Sequence, residues 1–400
     1  MATSPTADAA ALKQRALAAL ERLAPGVREL ALRIHANPEI GFQEERASQW
    51  VAEALHQQGY EVERGAAGLP TAIRAVSGGR TSGPAVGLIA EYDALPGIGH
   101  ACGHNLMAAG MVGAAGALAA VLADLPGRVV YYGTPAEEAG SGKIVMLERG
   151  AFRELDAALQ YHAGDRISYS TGNLATQSVD YAFTGRPAHA ASGPWKGINA
   201  LDAVLLTFNG IGTLRQQMRP DARVHGIITD GGQAVNIIPE RAAMSIGVRS
   251  PDGPYLRELV GRVDACARAA ALATGAELRI TPGTLEDCIR FNPTLADVVA
   301  CNAKTLGFEM AGKRGEASSD IGNLSQAVPT VSYTLPTCPP GVRMHSHEAL
   351  EAGAAEIGLN GMLDDARVMV MTAIDLLTSP ELLTQIRRDF EANAGSSAAQ

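Results

Sequence analysis

Residues 106–123, LMAAGMVGAAGALAAVLA, run for eighteen positions without a charged or polar side chain. A run of that length either spans a bilayer or lies as a helix enclosed by protein on all sides. It is mostly Ala and Gly, has no aromatic residue at either end to sit at a membrane interface, and adjoins polar motifs directly. The enclosed helix is the better reading, because small side chains let such a helix press closely on a sheet. Aromatic residues are only 4 % of the chain while glycines number 44, so the core must be built largely from small side chains.

At 400 residues the chain exceeds one ordinary core, and two or three domains are expected. A 46 % hydrophobic and 19 % charged composition describes a globular protein. The formal net charge of −9, with no basic run, argues against nucleic acid as a partner. The first residues lack a basic region followed by an apolar one, so no secretory signal is expected. Five scattered cysteines (Cys102, Cys266, Cys288, Cys301 and Cys338) make a poor disulfide framework. A reducing, cytoplasmic setting is the expectation.

Periodicity predicts helices over 7–23, 27–36 and 44–58, and strands over 71–76, 85–90, 129–133 and 157–161. Apolar strands alternating with helices predict an α/β sheet covered on both faces. From residue 175 the pattern changes: strand 178–184, helix 198–218, strands 224–229 and 242–248, helix 255–272, strand 277–281. That β-α-β-β-α-β order is the signature of a ferredoxin-like sandwich. Helix–strand alternation then resumes, with a helix over 293–305, a strand over 330–333 and a closing helix over 363–377. The fold expected is α/β, a catalytic domain with a mixed central sheet (residues 1–174 and 285–400) interrupted by an inserted domain at 175–284.

Four clusters carry chemistry. GHACGHN (99–105) places Cys102 and His104 two residues apart with a glycine between, so a tight loop can aim both at one point. Both are good zinc ligands, although a buried Cys beside a helix-capping His reads the same way. TPAEEAG (134–140) follows a strand and offers adjacent carboxylates, Glu137 and Glu138, which point in different directions. One can bind metal while the other moves protons, a division of labour that amide hydrolysis needs. A solvated acidic helix start is the bland alternative. His162 ends a short apolar strand, where a lone histidine is ordinarily just a satisfied polar residue. MHSHE (344–348) brings His345 and His347 back from far along the chain, or simply forms a solvated loop. Taken together, the clusters supply a mixed N, O and S ligand set at strand ends of one sheet. It suits two divalent ions about 3.5–4 Å apart, Zn²⁺ or alternatively Co²⁺ or Mn²⁺.

With these residues in view, the chain resembles the aminoacylase/carboxypeptidase type of dinuclear metallohydrolases. It is most similar to the amidohydrolase branch with hippurate hydrolases, indole-acetyl-amino-acid hydrolases and aminobenzoyl-glutamate hydrolase subunits. The matching segments are HANPE (35–39), EYDALP (91–96), HACGHN (100–105), TPAEE (134–138), GRPAHA (185–190), GINALDA (197–203), NIIP (236–239) and SDIGN (319–323), in the family's order over nearly the whole chain. The resemblance implies metal binding by Cys102, His104, Glu138, His162 and His345, with Glu137 as general base. Cys102 stands where other branches place a bridging Asp. His347 competes with His345, and the register to residues 361–363 favours His345. Ala349 and Leu350 follow where the family often has an aromatic residue, so the pocket wall differs.

The resemblance also implies that the inserted domain forms a homodimer and lends His189 to the partner's site as an oxyanion donor. Asn236 and Arg249 match positions that bind the substrate's carboxylate or carbonyl. A planar guanidinium suits a carboxylate, although Arg249 at a strand end also reads as a surface residue. EEAGSGKI (137–144) looks phosphate-binding at a glance, but Ile144 and Glu137 break the pattern. Ser318, Ser319 and Asp320 are expected to support the metal pocket and not to form a triad.

The reaction expected is hydrolysis of the amide bond of N-acyl or aryl-acyl amino acids, or of small dipeptides. Two rivals come from other classes: a thiol hydrolase using Cys102 with His104, and a non-catalytic scaffold that kept the fold. The first leaves the acidic cluster unused, and the second leaves an intact ligand set and candidate base without a purpose.

Overall fold

The structure is a computed structural model that describes residues 7–77, 83–315 and 317–393. It divides into two compact units, one built from residues 7–172, 289–315 and 319–393, the other from residues 173–288 with 317–318.

The first unit holds an eight-stranded mixed sheet. Its strands are β1 (Tyr60–Arg64), β2 (Ile73–Ser77), β3 (Ala85–Glu91), β4 (Arg128–Thr134), β5 (Ala157–Tyr161) and β6 (Ser168–Gly172), joined after the second unit by two more. The second unit contributes β7 (Ala175–Thr184), β8 (Arg223–Asp230), β9 (Arg241–Ser250) and β10 (Glu277–Glu286). The first sheet is then completed by β11 (Ala311–Arg314) and β12 (Thr330–Thr334). Its order is β1-β2-β4-β3-β5-β12-β6-β11. β3 pairs in parallel with β4 and β5, and β5 in parallel with β12, so four adjacent strands run the same way. Every residue of β3, AVGLIAE, is buried. An unbroken apolar run is what a strand covered on both faces requires.

Residues 106–119 of the uncharged run lie in the helix His104–Ala119, with all but its last residue buried, while 120–123 leave it through a turn, four residues short of the expected end. The helix packs between the helices Ala7–His35 and Glu356–Thr378 on the sheet. Among the described residues, no helix is long and apolar enough to cross a membrane. Close packing depends on the missing side chain at Gly110, where a Cβ would fall 2.1 Å from the Tyr161 hydroxyl oxygen. That hydroxyl donates to the Leu106 carbonyl at 2.7 Å and ties β5 to the helix.

Several sequence expectations need correction. The separate helices over 7–23 and 27–36 are one helix, Ala7–His35, which continues through Pro25. Proline removes one hydrogen bond, but Leu12, Ala16 and Leu20 before it and Val27, Ala31 and Ile34 after it enter the same core, which holds the two halves together. The closing helix starts at Glu356, seven residues before the expected start, and a further helix, Pro380–Ala392, follows it. β1, β6 and β11 were not expected; all three are short strands toward the two ends of the sheet, β1 alternating over too few residues to stand out and β6 and β11 polar with no clear alternation.

In the second unit the antiparallel sheet has the order β10-β7-β9-β8. The helices Ala200–Leu214 and Gly253–Thr274 cover one face. β9 alternates strictly, with Ala242, Met244, Ile246 and Val248 buried in that core. The other face and the β8 edge lie open. Val224 is the one buried residue of β8, while Ile227 and Ile228 are exposed.

Substituting Gly110→Ala should lower the stability of the first unit by about 1–3 kcal/mol, the usual cost of overpacking. Urea unfolding followed by circular dichroism measures this. Combining it with Tyr161→Phe, which removes the colliding oxygen, should restore part of the loss.

Candidate metal centre

β4, β3, β5 and β12 end on one edge of the sheet, where ligands bind in open α/β architectures. Every metal-type motif follows one of these strands. β3 finishes on Glu91, and the chain behind it carries Asp93, Cys102 and His104. β4 leads into Glu137 and Glu138, β5 into His162, and the segment after β12 into His345.

The local backbone is shaped to aim these side chains. Gly103 has φ 75°, and a Cβ there would lie 2.4 Å from that of Ala163, so the turn between Cys102 and His104 requires glycine. Ala136 and His345 also sit at positive φ, 56° and 66°. Such positions cost of order 1–3 kcal/mol each and need surrounding bonds to hold them. The Ala136 N–H donates to Glu44 Oε1 at 2.8 Å, and this buried carboxylate also accepts from the Thr71 hydroxyl at 2.8 Å. The His345 N–H donates to the Ala101 carbonyl at 2.9 Å. The two strained residues are therefore pinned where they orient Glu137 with Glu138, and His345 itself.

Three groups of ligand atoms converge: Cys102 with His104 and His162; Cys102 with Glu138 and His345; Glu91 with His104 and Glu137. Within each group the atoms lie within 4.8 Å of one another. Cys102 is shared by the first two groups and His104 by the first and third. Cys102 Sγ is 3.7 Å from His162 Nε2, and His345 Nε2 is 3.2 Å from Glu138 Oε1. His347 enters no such group; it opens the helix His347–Ala352, capped by the Ser346 hydroxyl.

The imidazoles are oriented from behind. His104 Nδ1 lies 2.9 Å from Asp93 Oδ1 and 3.0 Å from the Asp93 carbonyl, which turns Nε2 toward the cluster. Asp93 Oδ2 accepts the Glu138 N–H at 3.0 Å, so one carboxylate orients two candidate ligands. His162 Nδ1 lies 2.8 Å from the Ala163 carbonyl, leaving its Nε2 facing Cys102. Carboxylate and carbonyl partners of this kind fix the ring orientation of metal-binding histidines.

A divalent ion fits this donor set. Glu91 Oε2, His104 Nε2 and Glu138 Oε1 are buried without a hydrogen-bond partner, and all three belong to the convergent groups. Buried polar atoms without a hydrogen bond are costly, and a cation that takes the place of a proton among them would satisfy all three. Without a metal, burial pushes the Cys102 thiol up to about 12. Burial alone would lower the His104 pKa, but Cys102, Glu91 and Asp93 raise it well above its ordinary value. Metal binding must therefore displace protons. Burial, with Glu91 and Asp320 nearby, raises Glu137 well above the usual carboxyl range, the direction a general base at neutral pH needs.

In the second unit, His189 and Asn236 lie together. His189 bridges to Ile237, and the Ala190 N–H donates to the Asn236 carbonyl at 3.0 Å. His189 Nδ1 accepts from the Ala191 and Ser192 N–H groups, both at 3.2 Å, which leaves the ring proton on an exposed Nε2. Arg249 stands apart, near the opposite end of β9, and its Nη1 donates to Ser318 Oγ at 3.3 Å.

Sequence reasoning gave no role to Glu44, Glu91, Asp93 or Lys143. EYDALP stood out by resemblance alone, and Lys143 drew notice only inside a broken phosphate-loop pattern. The signal available was that Glu91 ends an apolar strand, a place where a carboxylate is expensive unless paired.

The fold and this site define a metal-dependent hydrolase of amide or peptide bonds. The model of peptidase family M20/M25/M40 matches residues 87–361, and the chain belongs to that family. It is 35 % identical over 413 residues to an Xaa-Arg dipeptidase from Mus musculus, covering 97 % of this chain and 94 % of the relative. It is 28 % identical to a p-aminobenzoyl-glutamate hydrolase chain from Escherichia coli, with 91 % of each chain covered. A solved Bacillus subtilis structure, described as a dinuclear metal-binding peptidase of family M20, matches with TM-score 0.71 and 19 % identity, covering 89 % of this chain and 99 % of that one.

Adding Zn²⁺, Mn²⁺ or Co²⁺ to chelator-treated protein should raise its thermal transition. A ligand at a thousand times its Kd stabilises by about 4 kcal/mol. Differential scanning calorimetry with and without the ion measures the shift, and Cys102→Ser combined with His104→Ala should abolish it.

Proposed function

We propose that the chain is a two-metal amidohydrolase that cleaves N-acyl or aryl-acyl amino acids or small dipeptides. The observation that carries this reading is the sharing of Cys102 and His104 among convergent ligand groups, with Glu137 in one of them. The proposed ligands are Cys102, His104, Glu138, His162 and His345, and the proposed general base is Glu137. Divalent ions held there would acidify a water and polarise the scissile carbonyl. Glu137 takes the proton of the attacking water and passes it to the leaving amine. Its buried position beside Glu91 and Asp320 supports that role by favouring the protonated form it must reach in mid-reaction.

His189 is the proposed oxyanion donor, supported by its exposed Nε2–H. Asn236 and Arg249 are proposed to hold the substrate's carboxylate or carbonyl. Arg241 and Arg249 are separated by eight residues of extended β9, about 26 Å at 3.3 Å per residue. His189 and Asn236 lie beyond the Arg241 end, where the Gly185 N–H donates to the Glu240 carbonyl. One small substrate cannot span that distance, so His189 and Asn236 of one chain would serve the site whose Arg249 belongs to another. This supports a homodimer formed through a ferredoxin-like lid domain, residues 175–284. The strand order β10-β7-β9-β8 and the open β8 edge, with exposed Ile227, Ile228 and Ile237 around it, favour that assignment.

A thiol hydrolase is disfavoured by the same burial that raises Cys102 to about 12, because the nucleophile would have to be a thiolate. The name of the mouse relative puts dipeptides ending in Arg first among substrates to test, and that of the Escherichia coli relative adds aminobenzoyl-glutamate.

Glu137→Gln should cut kcat by roughly 10²–10⁴-fold, the usual contribution of a general base, while metal content by plasma mass spectrometry stays at the wild-type value. Full activity in that variant would remove Glu137 from the mechanism. Mixing His189→Ala with Glu137→Gln protein under exchange conditions should restore turnover, since mixed dimers carry one intact composite site. If the mixture stays inactive although mixed dimers form, the cross-chain role of His189 fails.

A further inference from the structure

The two oxygens of Glu91 are used quite differently. Oε1 accepts from Lys143 Nζ at 2.6 Å and from Gln160 Nε2 at 2.7 Å. Lys143, fully buried, also pairs with Asp320 Oδ1 at 2.6 Å, and its backbone N–H donates to Asp320 Oδ2 at 2.9 Å. Oε1 is thus saturated and the carboxylate cannot rotate. Oε2 is left 3.1 Å from His104 Nε2, and neither atom has a hydrogen-bond partner.

An ion pair with Lys143 explains why a carboxylate survives in the core, since a buried charge must be paired. It explains Oε1 only. His104 Nδ1 faces two acceptors, the Asp93 carboxylate and carbonyl, so Nδ1 keeps its proton and the position that a cation could take is Nε2. An ion that displaces a proton from Nε2 would find the Nε2 lone pair and Glu91 Oε2 side by side. Atoms each about 2.0–2.2 Å from one zinc-like ion lie roughly 3–3.5 Å apart, and 3.1 Å falls in that range.

We propose that Glu91 is a further metal ligand, its Oε2 joining His104 Nε2 on one ion, and that Lys143 is the positioning residue that fixes its carboxylate. Lys143 touches no ligand position itself; it occupies Oε1 and leaves Oε2 to the metal. A carboxylate oxygen is a harder ligand than thiolate or imidazole, so the ion beside Glu91 should favour Mn²⁺ more than a site of only N and S donors would.

The inference rests on the two-metal reading and is tested by metal binding, not turnover. Mn²⁺ is titrated into chelator-treated protein, and free Mn²⁺ is followed by electron paramagnetic resonance. Wild type should bind two ions. Glu91→Gln keeps the size and an acceptor for Lys143 and Gln160, and should weaken one ion at least tenfold while leaving the other unchanged. Lys143→Met should weaken the same ion. Two ions bound with wild-type affinity by folded Glu91→Gln protein would overturn the proposal, leaving Glu91 a core ion-pair partner. If Glu91→Gln does not fold, Glu91→Asp, which keeps the charge beside Lys143 but shortens the reach, decides by the same readout. A wild-type protein that binds no Mn²⁺, Co²⁺ or Zn²⁺ would instead defeat the two-metal reading itself.

Discussion

The buried ammonium of Lys143 is the interaction on which the closed floor of the site depends. Burial alone would lower its pKa, yet Asp320, Glu91 and Glu137 raise it, so it stays charged. In return it lowers Glu91, which burial would otherwise neutralise, with His104 and His162 adding to the effect. Three acids around one cation leave the cluster short of positive charge, and that imbalance makes the strand ends hospitable to divalent ions. The core supplies the low dielectric that gives each pair its strength and makes each missing partner expensive.

The same economy governs the backbone. Four parallel strands deliver candidate ligands to one edge, but strand ends alone do not aim side chains. Aiming is done by a glycine turn at Gly103 and by two strained residues, Ala136 and His345, held by Glu44 and by the Ala101 carbonyl. Asp93 then links His104 to the Glu138 backbone, so two candidate ligands from different strands share one support. A preorganised site of this kind spends folding energy in advance so that little rearrangement remains when the metals and substrate arrive.

The second unit obeys a different constraint. Its sheet is covered on one face only, and its β8 edge carries isoleucines into solvent. The length of β9 keeps Arg249 far from His189 and Asn236, and on the proposed reading this separation is what requires two chains for one complete site. Substrate contact and assembly would then be the same event.

By itself the sequence determined the class of fold and pointed to most of the residues whose ligand atoms converge. The uncharged stretch at 106–123 reads as an enclosed helix once its lack of interfacial anchors is weighed, and it is one as far as Ala119, after which the chain turns out of the helix. The β-α-β-β-α-β order of the second unit was legible because its strands alternate and its helices are amphipathic. Cys102, His104, Glu137 and Glu138 were visible because their motifs are dense and local, and His162 and His345 because the resemblance fixed their places. Short polar strands such as β6 and β11 were not legible, since their pairing comes from sheet neighbours and not from any periodicity of their own. Only the tertiary structure placed His345, and not His347, among the convergent candidate ligand atoms, and brought Glu91, Lys143 and Asp320 into contact across 229 positions of chain from 91 to 320. The physical reason is that a buried charge is chosen by its partners, and partners are a property of packing, which local sequence does not encode.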